Sequence, residues 1–329
     1  MMPRDGANSA ELIGGTGPVM HPISMPGWLE IYKVDRTFRL QTPDCIDPGR
    51  TKPDVPWSWQ ISDEAGAANP IIARVFIQCA EALKNHRLRR GSPEAITIAL
   101  HTCKEDLRNA EKAFVRLSTG YDKIVGEVQT AGGLKPKRGV VNNLPLIPDL
   151  EHDATIFLTG AKRALQSIAE VLNQFYGTMI SNARFDKGRT QLKALNPPPD
   201  ELLKQLDGFT PLIERILNLR NFQEHTPKKT IVENFRLTAN EVLLPGWRVD
   251  PEPASEIIPE MNSVLTGIVS LAETCFFVGL MDNLDVPAGP FGYVIEEIPE
   301  DQRQGAAVVY RVDLQFIKPP AEDGTATNA

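Results

Sequence analysis

Apolar residues recur in steps of four and three along one stretch of the chain. They are Ile96, Leu100, Cys103, Leu107, Ala110, Phe114, Leu117, Tyr121, Ile124 and Val128. That spacing is the a/d seam of a long helix packed along another helix, in the same chain or in a partner. Ser92 stands ahead of it as an N-cap. Shorter stripes of helical period follow. Ile156, Ala161, Leu165, Ile168, Leu172, Phe175 and Met179 predict a helix over about 153–182. Leu202, Leu206, Phe209, Ile213 and Ile216 predict another from Asp200, limited by Pro227. A last helix covers 256–283, and a first one begins near Asn69-Pro70, with proline suited to a first turn. Alternation of period two marks strands instead. It appears over 28–42, over 231–237 and 242–249 as a hairpin, and in two runs, Tyr293–Ile298 and Ala307–Ile317. Prolines 43, 48, 53 and 56 make 43–63 a loop in which Trp57 and Trp59 cover a core edge. Residues 184–199 read as a basic turn.

The pattern gives a mainly α protein, a helical bundle with a small antiparallel β decoration. Its expected divisions are a disordered leader over 1–27, a strand region and long helices over 28–131, and a bundle over 153–284 with an inserted hairpin at 230–249. A C-terminal β hairpin over 290–318 and a disordered tail over 320–329 complete it. Gly14-Gly15-Thr16-Gly17-Pro18 has neither a strand before it nor a helix after it, so it reads as flexible leader and not as a phosphate loop. The apolar run Val264–Met281 approaches the length of a membrane span. Glu273 in its middle and the lack of a flanking basic cluster favour a buried bundle helix, and no membrane partner is expected.

Composition changes this picture little. Hydrophobic residues at 42% suit a protein with a sizeable core. Met1–Val19 lacks the regions of a secretory signal. The four cysteines, at 45, 79, 103 and 275, make no CxxC pair, so a cytoplasmic setting and no structural metal are expected. Net charge is −7, but residues from 251 onward hold 13 acidic and 3 basic residues, a balance of −10, which leaves +3 for the rest. A local basic site for nucleic acid therefore remains compatible with the acidic whole.

Chemistry enters at the end of the third stripe. Four residues beyond Ile216 the stripe lands on Arg220, an inward position that calls for an anion or a wet groove. Asn221 follows, and His225 comes five residues after the arginine, just before Thr226-Pro227. An arginine and a histidine beside one groove suit RNA cleavage without metal or cofactor. The arginine holds the scissile phosphate and its developing charge, and the histidine moves a proton. Lys228 and Lys229 stand beside the motif as RNA-binding candidates. His101 and Glu105 share a helix face, but no further ligand visible in the sequence completes a metal site.

Arg220-Asn221-x-x-x-His225 at a helix end resembles the RNase motif of the HEPN superfamily, an arginine followed by four to six residues and a histidine. The resemblance covers roughly 153–284. It implies a bundle that forms a homodimer, so that two motifs meet in one cleft. It also implies metal-independent cutting of RNA to a 2′,3′-cyclic phosphate, often in a toxin or defence role. The hairpin at 230–249 departs from the minimal family unit. Pro227 stands where one branch of the family carries a modified tyrosine. The rival readings are a non-catalytic scaffold or binding protein in which Arg220 forms a structural ion pair, with Glu273 for example, and a structural protein of a mobile element held together by the 96–128 seam.

Overall fold

The computed structural model describes residues 12–84, 86–130, 139, 143–224, 229–239, 241–285 and 291–316. Strands β1 (Met20–Met25), β2 (Trp28–Tyr32), β3 (Thr37–Gln41) and β4 (Ser58–Asp63) form an antiparallel sheet in that order. A short helix, α1 (Pro43–Ile46), precedes β4. Leu29 pairs with Leu40 and Ile31 with Phe38, while Glu30 pairs with Arg39. Because side chains alternate across a sheet, one face carries Leu29, Ile31, Phe38 and Leu40. That face makes a small core with Leu12, and the ring of Trp59 packs edge-on to Phe38. The other face turns Trp28, Glu30 and Tyr32 toward the helices.

Three expectations fail here. The leader is not disordered from residue 12 onward, whereas residues 1–11 lie outside the described residues. Leu12 fills the small core, and Lys33 Nζ donates to the carbonyls of Leu12 and Gly14 at 2.8 and 2.9 Å. A Cβ on Gly15, whose φ is +74°, would lie 2.8 Å from Arg36 Cγ. The glycine run thus lets the chain lie against the turn at 33–36. Second, 43–63 contains the strand β4, whose mostly exposed side chains give no apolar alternation to read. Third, the supposed basic turn contains helix α5 (Phe185–Lys193). Its buried Phe185 and Leu192 are too few to make a visible stripe.

The helices pack into one bundle. A π-helical segment, Ile71–Ile77, runs straight into α2 (Gln78–Lys84). Helix α3 (Pro93–Thr130) is antiparallel to α4 (Leu150–Tyr176), and the two make the most extensive pairing in the protein. Ser92 caps α3 as expected, accepting from Ala95 N at 3.2 Å. The seam faces inward: Ile96, Leu100, Cys103, Leu107, Ala110 and Leu117 are buried. Phe114, Tyr121, Ile124 and Val128 are half-buried. Small residues bring the two helices close. Cys103 Sγ lies 3.7 Å from the carbonyl of Ala164, and a Cβ on Gly160 would sit 2.6 Å from the carbonyl of Asp106.

Helices α6 (Asp200–Glu224) and α7 (Ile257–Asn283) pack on α4 and on each other. Helix α7 is long and apolar enough to cross a membrane, but it is a core helix of the bundle. Its buried Glu273 accepts from Arg74 Nε at 3.1 Å and from Gln78 Nε2. The expected hairpin between α6 and α7 is present. Strand β5 (Thr230–Glu233) pairs with β8 (Gly246–Val249), and β6 (Arg236–Leu237) with β7 (Val242–Leu243). Trp247 of β8 is fully buried beside Phe157. A two-residue strand, β9 (Ser255–Glu256), extends this sheet. Strands β10 (Phe291–Glu297) and β11 (Tyr310–Phe316) form the C-terminal hairpin. The expected tail over 320–329 lies outside the described residues.

Candidate functional site

The C-terminal turns of α6 lie against the N-terminal half of α4, and the contact between them is polar. Arg220 is half-buried, and its Nε donates to Thr159 Oγ1 at 3.1 Å. Gln223 Nε2 donates to Thr155 Oγ1 at 3.2 Å, and Lys162 Nζ donates to Asn221 Oδ1 at 2.8 Å. The threonine hydroxyls are oriented for this. Thr155 Oγ1 donates to the carbonyl of Glu151 at 2.8 Å, and Thr159 Oγ1 to the carbonyl of Thr155 at 2.7 Å. With each proton committed to the preceding turn, the oxygen is left to accept from α6. Thr155 must therefore receive the amide nitrogen of Gln223. The other amide atom, Oε1, is buried without a hydrogen-bond partner.

Of the five residues singled out from the sequence, the structure brings Arg220 and Asn221 to one face of α6. Lys229 is exposed beyond the end of that helix. Its carbonyl accepts from Asp250 N at 3.0 Å, and the neighbouring Thr230 hydroxyl donates to the carbonyl of Leu219 at 2.7 Å, which ties the start of β5 to α6. His225 and Lys228 lie outside the described residues. One expectation needs correcting. Glu273 does not pair with Arg220, because Arg74 and Gln78 hold its carboxylate. Asn221 turns to Lys162, so its carbonyl is engaged by a cation of the same protein. Lys162, Thr155 and Thr159 escaped the sequence reading. The polar stripe they make at steps of four and three in α4 was the available signal.

Next to this contact an open groove of about 680 Å³ runs between the first turns of α4 and β5. Leu146, His152, Thr155 and Val232 line it. Asn234 also lines it, donating from Nδ2 to the carbonyl of Ile147 at 2.9 Å and accepting from Ile147 N at 3.1 Å.

A second polar cluster lies between the N-terminal sheet and α3. Glu30 is fully buried. Lys104 Nζ donates to its Oε2 at 2.9 Å, Tyr32 donates its hydroxyl to the same oxygen, and His101 Nε2 lies 2.8 Å from Oε1. Burial alone would raise the Glu30 carboxyl. The hydrogen bond from His101 and the charge of Lys104 outweigh it and hold the group well below the usual carboxylate range. Glu30, His101 and Glu105 bring three potential ligand atoms within 4.8 Å of one another. The ammonium of Lys104 lies 2.9 Å from both Glu30 and Glu105, where an ion would sit. This donor set therefore suits an internal ion pair better than a metal.

Two further ties reach α3 from Asp63 of β4 and from Asn69, ahead of the π-helical segment. Arg108 grips Asp63 through two bonds of 3.0 and 2.9 Å, and Asn69 donates to Glu111 at 3.0 Å. Glu30→Gln should cost about 2–3 kcal/mol, because it removes the buried carboxylate that holds Lys104 and His101 and leaves the ammonium only the half-exposed Glu105. Urea unfolding at neutral pH reads that loss. A carboxyl held low in the folded state stabilises above its unfolded value, about 4.3. That contribution is lost as pH falls below this value. The stability of the wild-type protein should therefore drop more steeply between about pH 5 and pH 3 than that of Glu30→Gln.

No protein-family model, curated protein or solved structure matches the chain.

Proposed function

We propose that the chain is a metal-independent endoribonuclease of the HEPN type, with Arg220, Asn221 and His225 as its motif. The observation that carries this reading is the position of Arg220. It is half-buried at the end of a bundle helix, braced by Thr159, with Lys162 on the same contact and an open groove alongside. A guanidinium fixed this way is preorganised to receive a phosphodiester. In the reaction the ribose 2′-oxygen attacks phosphorus and loses its proton to the His225 imidazole. The bond to the 5′-oxygen breaks, and the products are a 2′,3′-cyclic phosphate and a 5′-hydroxyl. Arg220 balances the charge that builds on the phosphoryl oxygens. Lys228 and Lys229 supply charge for the flanking strand. The reading includes a homodimer that joins two motifs, and a cytoplasmic toxin or defence role.

The second reading is a non-catalytic HEPN-like scaffold. It is favoured by the same hydrogen bonds, donated by Arg220 and Gln223 to α4 and accepted by Asn221 from it, which would serve to lock two helices. Incubation of the purified chain with mixed single-stranded RNA in EDTA separates the two. The RNase reading expects fragments ending in cyclic phosphate and intact DNA. RNA that survives in every sequence tested, or cutting that EDTA abolishes, removes it. Activity should also fall as salt rises, since few cations hold the strand against a net negative protein.

A further inference from the structure

His152 shares one face of α4 with the residues that hold the motif. From His152 the steps to Thr155 and Thr159 are three and seven, so the three side chains stack along successive turns. Thr155 receives Gln223 and Thr159 receives Arg220. Helices α4 and α6 run antiparallel here, and His152 therefore lies beyond the end of α6, about 10 Å along the helix axis from the brace of Arg220. It is exposed, and it lines the open groove together with Thr155. The far wall of that groove is β5, whose first residue is tied to Leu219 of α6. The groove thus opens beside the motif and holds an imidazole there.

The proposed reaction needs two proton transfers. One group takes the proton from the attacking 2′-hydroxyl, and another gives a proton to the departing 5′-oxygen, which is otherwise a poor leaving group. The motif of each chain supplies one histidine, His225, which the reading assigns to the 2′-hydroxyl. We propose that His152 is the second proton-transfer group, the general acid that protonates the leaving 5′-oxygen while the groove receives the nucleotide that carries it. This rests on the ribonuclease reading. As the bond between phosphorus and the 5′-oxygen breaks, its electron pair stays on oxygen. The proton on the imidazole moves to that oxygen, and solvent returns a proton to the imidazole afterwards.

A leaving group that departs without a proton isolates this role. The full-length wild type, His152→Ala and Arg220→Ala are assayed on an RNA oligonucleotide and on uridine 3′-(4-nitrophenyl phosphate), whose phenolate leaves unprotonated. His152→Ala is expected to lose about a hundredfold or more on RNA. On the aryl ester it is expected to stay within a few-fold of wild type. Arg220→Ala loses on both substrates, since phosphate charge develops in both. His152 is exposed, so the variant should keep the thermal melting of wild type. If His152→Ala cuts RNA as fast as wild type, or loses equally on both substrates, His152 is not the acid, and the ribonuclease reading stands. If the wild type cuts neither substrate, the ribonuclease reading falls and this assignment with it.

Discussion

Leu107→Asp lowers the unfolding free energy by about 4 kcal/mol or more in urea titration, enough to leave little folded protein in a domain of ordinary stability. Leu107 is fully buried in the middle of the α3 seam. The neighbouring seam positions on either side are in close contact with α4, Cys103 at Ala164 and Ala110 at Gly160. A carboxylate there is cut off from water, and the close helix approach leaves no space for water to follow it. Val115 lies on the same helix but is 52% exposed. Val115→Asp should therefore change stability by no more than about 0.5 kcal/mol. Equal effects at the two positions would mean that the seam is not the contact surface described.

Arg220→Ala and His225→Ala each reduce RNA cleavage by about a hundredfold or more, which corresponds to about 2.7 kcal/mol of transition-state stabilisation. The arginine variant loses the partly buried hydrogen bond to Thr159, a stability cost of about 1 kcal/mol, together with the other contacts of the guanidinium, and it is expected to remain folded. Arg220→Lys restores little, because an ammonium lacks the planar fork that grips two phosphoryl oxygens. Asn221→Ala loses less than either, since its carbonyl binds Lys162 and leaves that lysine in place. Single-turnover rates on one oligonucleotide, with circular dichroism as the control for folding, measure all four variants. A folded His225→Ala protein with wild-type rate removes the proposed mechanism.

The helices were legible in the sequence where an apolar face is long and regular. The α3 seam, the stripes of α4 and α6 and the apolar α7 could be read because each helix buries a repeating set of side chains. Helix α5 was not, because nine residues with two buried apolar side chains carry no period. Strand β1 and the Gly14–Gly17 run were missed for a different reason. β1 is placed by its pairing with β2, and the glycine run by contacts with Lys33, Val34 and Arg36, on a turn that the local sequence does not announce. Glu30 shows the same limit for chemistry. Its charge is stabilised by His101 and Lys104, 71 and 74 residues away, and nothing near Glu30 in the chain foretells them. At the candidate site the inward position of Arg220 followed from the stripe of its own helix. Its partner Thr159 did not, because an antiparallel register between two helices fixes that pairing.

The most direct measurement uses a DNA strand that carries a single ribonucleotide, incubated with the purified protein in EDTA. One cut is expected, on the 3′ side of that ribose, with a 2′,3′-cyclic phosphate on the upstream product and no cut in the Arg220→Ala protein. Cutting at a deoxyribose, cutting that requires a divalent metal, or cutting that persists in Arg220→Ala would contradict the ribonuclease reading.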